Sequence, residues 1–178
     1  MINKILAKFF SRNDQMRLTE IRDLFEIDNG APCPLLLSAD GIVRLIFYGN
    51  AINGQRFKQR DVLNDIGIIE LRFTSCSFQS FSPPNDEALN GHPYYNIGLS
   101  SCGFFEVLNS DLIKKIESYN RFHQRNNPNS YRNSHHYVIT FKETVFECVA
   151  DDFELFQYDE SVYSRGVKSL HELYGVKL

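Results

Sequence analysis

Apolar positions recur along the chain with two different periods. Ile2, Ile5, Leu6, Phe9 and Phe10 fall at helical spacing, which predicts an amphipathic helix over about residues 2–11. Leu18, Ile21, Leu24 and Phe25 repeat that spacing and predict a second helix within residues 15–27, stopped by Asn29-Gly30. After Pro34 the pattern changes. Leu35–Ser38 and Ile42–Tyr48 are apolar runs separated by Asp40-Gly41, the strong short-range signal for a β-hairpin. Within Gly67–Phe78, Ile69, Leu71 and Phe73 alternate with Glu70, Arg72 and Thr74, which predicts a strand with one buried face.

Residues 79–101 carry turn chemistry, Pro83-Pro84-Asn85-Asp86 and Asn90-Gly91-His92-Pro93, and read as loop. Phe104–Leu108 is a short strand. Asn109 or Ser110 caps a helix running to about Arg121, with Asp111 favourably placed in its first turn. Residues 122–134 read as a polar loop. His136–Phe141 and Thr144–Ala150 follow, and their short connection at Lys142-Glu143 predicts an antiparallel pair. Phe153–Tyr158 is a candidate third strand. Residues from about Ser161 to Tyr174 are helical, with Val162, Val167, Leu170 and Leu173 as apolar positions.

Strands grouped in runs, rather than alternating strictly with helices, predict an α+β fold with an antiparallel or mixed sheet and flanking helices. The expected organisation is a single globular domain over 1–178: N-terminal helices about 2–27, a sheet-rich core about 34–158 and a C-terminal helix about 161–174. Phe141, Phe146, Val149 and Leu71 are expected in the core. A hydrophobic share of 43% with 15 Phe supplies the material for that core, and a charged share of 23% argues against disorder.

The formal net charge of -3 lacks the basic excess of a nucleic-acid-binding domain, so nucleic acid is not the expected partner. Lys4 and Lys8 interrupt the apolar N-terminus and no small-residue cleavage site follows, which argues against a signal peptide. No apolar run approaches the roughly 20 residues of a membrane span. Cys33, Cys76, Cys102 and Cys148 are widely spaced, with no Cys-x-x-Cys to suggest zinc or a redox dithiol. Cys148 lies in an apolar strand pattern that suits a reduced, buried thiol. These features together predict a cytoplasmic protein.

Tests for catalytic motifs fail. Gly98-Leu99-Ser100-Ser101-Cys102-Gly103 lacks the glycine that a nucleophile elbow needs at position 102, and Phe104-Phe105 stand where a P-loop needs its lysine and hydroxyl. His123, His135 and His136 have the right chemistry for acid–base or metal work. However, adjacent strand residues point to opposite faces, so His135 and His136 are poorly placed to share one ion. The sequence therefore predicts no catalytic residue, no metal and no cofactor. The alternatives are a histidine-dependent nuclease or hydrolase, or another kind of interaction domain.

Charge segregation is the clearest non-random feature. Leu112–Lys142 holds six Lys or Arg against Glu117 alone, and Glu143–Glu160 holds seven Asp or Glu and no base. Charge runs often only face water. The functional reading is an acidic docking surface, Asp151, Asp152, Glu154, Asp159 and Glu160 beside Phe153, Phe156 and Tyr158, for a basic protein partner.

The run His135-His136-Tyr137-Val138-Ile139-Thr140-Phe141, continuing to Phe146-Glu147-Cys148-Val149-Ala150, resembles a strand pair that closes the domain in an uncharacterised group of bacterial proteins. Gly91-His92-Pro93-Tyr94-Tyr95 is similar to an upstream element of the same group. The likeness spans roughly residues 90–150, and Lys142 stands where the group's pattern has histidine. Members look like cytoplasmic immunity proteins encoded beside polymorphic or contact-dependent growth inhibition toxins. The resemblance implies binding to the C-terminal domain of a cognate toxin, a nuclease among the candidates, and it carries over no catalytic residue. Oligomeric state is left open.

Overall fold

The computed structural model describes residues 15–51, 67–124, 127 and 129–175. Ten strands among these residues form two antiparallel sheets. The first sheet has the order β1-β7-β8-β9-β6, from Arg17–Glu20 (β1), Phe104–Leu108 (β7), His135–Thr140 (β8), Val145–Ala150 (β9) and Phe78–Ser82 (β6). The second has the order β10-β5-β4-β2, from Asp152–Tyr158 (β10), Ile68–Thr74 (β5), Ile42–Ala51 (β4) and Phe25–Ile27 (β2). Leu35–Ala39 (β3) also pairs with β4, Leu36 opposite Leu45 and Ser38 opposite Val43.

The two sheets face each other across one core. Leu45, Phe47, Ile69, Leu71 and Phe73 point inward from the second sheet, and Phe104, Tyr137, Ile139, Phe146 and Cys148 from the first. Phe73 lies against Tyr137 and Phe146, with ring centroids 5.6 and 5.4 Å apart. Phe141, Phe146, Val149 and Leu71 are buried as the sequence predicts. The hairpin at Asp40-Gly41 and the β8–β9 pair also agree with prediction, His136 standing opposite Val149. Val162–Tyr174 (α2) covers the outer face of the second sheet, and Asp111–Asn120 (α1) lies beside β8 of the first. The fold class is α+β. Among the described residues no helix is long and apolar enough to cross a membrane.

Three expectations need correction or fall outside the description. The helix predicted for residues 2–11 lies outside the described residues. The helix predicted within 15–27 is instead β1 and β2, in two different sheets. Four apolar residues at helical spacing are too few to outweigh tertiary pairing, and Asp23 takes φ 64, which no α-helix accommodates. Arg17 pairs opposite Leu108, and Phe25 opposite Ala51. Finally, the Gly67–Phe78 strand stops at Thr74. Ser75 at φ 54 turns the chain into the other sheet, and Phe78–Ser82 becomes β6, with Phe81 opposite Phe146, although residues from 79 on are expected as loop.

Candidate functional site

The acidic residues fall around one edge strand. β10 pairs along its whole length with β5, and among the described residues no strand pairs with its other edge. Asp151 and Asp152 stand at its start, and Asp159 and Glu160 just past its end, roughly 20 Å away at strand rise. The five are not equivalent. Asp152 and Glu154 are exposed, and neither forms an ion pair with a described Lys or Arg. Asp151 is half-buried and accepts from the Ser134 hydroxyl at 2.9 Å. Glu160 accepts from Ser164 Oγ at 2.7 Å and pairs with Lys168, so its charge is largely committed to the first two turns of α2. Burial alone would raise the Glu160 carboxyl, yet the contacts with Lys168 and Ser164 bring the net shift below the ordinary carboxylate range. Asp159 is exposed.

The neighbouring aromatics are used by the fold. Phe153 turns inward against Phe104 and Tyr137, with centroids 5.1 and 5.3 Å apart. Phe156 lies under the Arg72 guanidinium, and Tyr158 under that of Arg165, at 4.0 and 4.1 Å. What β10 offers to solvent is therefore carboxylate and backbone, rather than an aromatic centre ringed by charge.

Behind β10, on the face that α2 covers, sits a buried charge cluster that the sequence reading missed. Glu70 has no exposed surface and accepts from Arg165 Nε, from Arg72 Nε at 2.9 Å and from Ser169 Oγ at 3.1 Å. Glu172 binds Arg44 Nη1 at 2.6 Å and Arg165 Nη2 at 2.7 Å. Gly166 lets α2 approach, since a Cβ there would meet the Leu35 side chain at 2.3 Å. The signal available in the sequence was Arg165, Ser169 and Glu172 at helical spacing, and two strands, one carrying Arg44 and the other Glu70 and Arg72 at alternate positions.

The three histidines do not converge. His123 is exposed just beyond α1. His135 and His136 take opposite faces of β8 as expected: His135 Nδ1 lies 2.6 Å from Glu106 Oε1, and His136 is fully buried on the outer face of the first sheet. Among the described residues no group of three His, Cys, Asp or Glu could hold a metal ion. Cys102 is half-buried, and burial raises its thiol above the ordinary range, a poor setting for a nucleophile. Cys148 is buried and reduced, its thiol pushed well up by desolvation.

His136 does, however, join a chain of polar groups. Ser110 caps α1 by accepting from the Ile113 N–H at 3.2 Å, and its Oγ lies 2.7 Å from His136 Nδ1. His136 Nε2 lies 2.8 Å from Glu147 Oε1, and the Tyr94 hydroxyl donates to the same oxygen at 3.0 Å. One assignment satisfies every group: Ser110 donates to Nδ1, and Nε2–H donates to the carboxylate of Glu147. The order resembles a Ser–His–carboxylate relay. Yet Ser110 is buried and holds the helix N-terminus, so the hydroxyl serves to fix the imidazole and the imidazole fixes Glu147. Burial pushes the Glu147 carboxyl up, but the hydrogen bonds from His136 and Tyr94 outweigh it and the net shift is downward. Glu147 faces a cavity of about 380 Å³ shared with His92, Tyr94 and the proline segments around Pro83 and Pro93.

No family model, no curated protein and no solved structure matches this chain.

Proposed function

We propose that this chain is an immunity-type protein that binds the C-terminal domain of a cognate bacterial toxin, and neutralises it, through the acidic edge strand β10. One observation carries the reading: Asp152 and Glu154 are exposed carboxylates without a described Lys or Arg partner, on a strand with one edge unpaired among the described residues. An unpaired edge offers backbone groups that can accept an added strand, and carboxylates beside it select a basic one. Complementary charge speeds encounter and rejects wrong partners. A nuclease toxin has a basic substrate cleft, and the carboxylates of β10 can occupy it in place of phosphates. On this reading the protein acts in the cytoplasm of the cell that makes the toxin, without a cofactor and without catalysis of its own.

The experiment begins with the gene immediately upstream. Its C-terminal domain is expressed alone and together with this chain. The reading expects the domain to arrest growth, co-expression to restore it, and the two proteins to co-purify as a stoichiometric complex. If the upstream product has no toxic C-terminal domain, or if co-expression neither protects cells nor yields a complex, the immunity reading is wrong.

A further inference from the structure

The cavity at Glu147 has features that the acidic edge does not share. Its apolar wall is rigid, built from Pro83, Pro84, Ala88 and Pro93, and its volume of about 380 Å³ lies in the range of small-ligand sites. Its one carboxylate is held in place from behind. Both donors, His136 Nε2 and the Tyr94 hydroxyl, reach Oε1, and among the described residues Oε2 receives no hydrogen bond. No described Lys or Arg pairs with Glu147. His92 adds no competing positive charge near neutral pH. Burial holds its imidazole below the ordinary histidine range, and its Nδ1 accepts the Tyr94 N–H at 3.3 Å. A carboxylate held through Oε1, with Oε2 taking no hydrogen bond from a described residue, thus lines a small hollow with proline walls.

We infer that this cavity binds a primary ammonium group carried on a short aliphatic stem. The stem packs against the proline wall and the ammonium donates to Glu147 Oε2. An ammonium fits better than a guanidinium: a bidentate fork needs both carboxylate oxygens, and Oε1 is already occupied by two donors. The chemistry is that of a lysine side chain or of a free alkylamine. The inference rests on the relay and the cavity alone, and does not depend on the immunity reading.

The test uses the full chain and three probes, n-pentylamine, n-pentanol and a capped pentapeptide with one central lysine, followed by amide chemical shifts on titration. The amine is expected to shift His92, Tyr94 and Glu147 saturably, and the alcohol to bind about tenfold or more weakly, because it lacks the charge-assisted bond. Glu147→Gln should lose about as much affinity for the amine. Ala88→Phe, outside the relay, should fill the hollow and abolish binding even if Glu147→Gln proves unstable. Binding of the peptide as tightly as the amine assigns the site to a protein side chain, and binding of the amine alone assigns it to a small molecule. No saturable shift with either amine probe, equal binding of alcohol and amine, or undiminished binding in Ala88→Phe overturns the inference.

Discussion

Arg165 on α2 donates through Nε to Glu70 on β5, ninety-five residues away in the chain, and both side chains are buried. This contact fixes the helix to the outer face of the second sheet. Glu70 is approached by three arginines, Arg44, Arg72 and Arg165, and by Ser169. Removing the carboxylate would leave Arg44, Arg72 and Arg165 to share Glu172 alone, with more buried positive charge than one carboxylate offsets.

Glu70→Ala should therefore destabilise the protein by about 3–5 kcal/mol, as breaking one side of a buried ion pair does. Glu154→Ala, exposed on the adjacent strand, should change stability by no more than about 0.5 kcal/mol. Chemical denaturation of both variants checks the contrast. Equal, small effects would show that the buried cluster does not hold α2 in place.

Phe146→Ala should cost about 3–5 kcal/mol from lost burial and the cavity left behind. Phe146 has no exposed surface and packs against Phe73 between the two sheets. A melting temperature equal to the parent's would contradict the packing of the sheets on each other.

Gly49→Ala separates the two readings of residues 15–27. A Cβ at Gly49 would stand 2.6 Å from the backbone oxygen of Glu26, so β2 and β4 would have to move apart. The pairing predicts a loss of about 1–3 kcal/mol from this overpacking. Had the segment been helical, no carbonyl would lie there. A thermal melt of Gly49→Ala that superimposes on the parent's would contradict the β2–β4 pairing.

Stability should fall in acid, and the sign follows from the depressed carboxylates Glu147, Glu160 and Glu172 and the depressed imidazole of His92. Glu147 has a lowered folded-state pKa, so its contribution is present above the unfolded carboxylate value and lost as pH falls through the folded one. His92 is lowered too, chiefly by burial; the unfolded chain takes up its proton first, and stability is lost as pH falls from the ordinary histidine value toward the folded one. Denaturation at a series of pH values should show both the histidine and the carboxylate losses, and Glu147→Gln should reduce the carboxylate one, leaving the share of Glu160 and Glu172. An acid limb unchanged in that variant would contradict the role of the His136–Glu147 contact.

The parts of the fold that sequence pattern made legible are those whose signals are local. Asp40-Gly41 set the β3–β4 hairpin, Ser110 with Asp111 set the start of α1, and the short link after Phe141 set the β8–β9 pair. The parts it hid depend on what packs from elsewhere. Glu70 and Arg72 alternate with apolar residues as a solvent-facing set would, yet α2 covers them. Leu18, Ile21, Leu24 and Phe25 fit a helix by spacing, but β7 and β4 supply partners that place Leu18 in β1 and Phe25 in β2, with Ile21 and Leu24 in the link between them. Of the acidic set, Asp151, Asp152 and Glu154 come together at the start of β10, while Glu160 is drawn into α2 by Lys168, a contact between residues eight apart that strand reasoning does not anticipate. The Ser110–His136–Glu147 chain joins three elements and carries no short motif.

The acidic edge is tested most directly by reversing Asp152 and Glu154, exposed carboxylates within β10 itself. Asp152→Lys with Glu154→Lys keeps Asp151, whose bond to Ser134 belongs to the fold. The measurement is association kinetics with the proposed partner, the C-terminal domain of the upstream gene's product, at low and at physiological salt, with a thermal melt of the double variant as the folding control. The account predicts a parent-like melt and association slower by about tenfold or more at low salt, a gap that narrows as salt screens the charges. A folded double variant that associates at the parent's rate in both buffers would contradict recognition through β10.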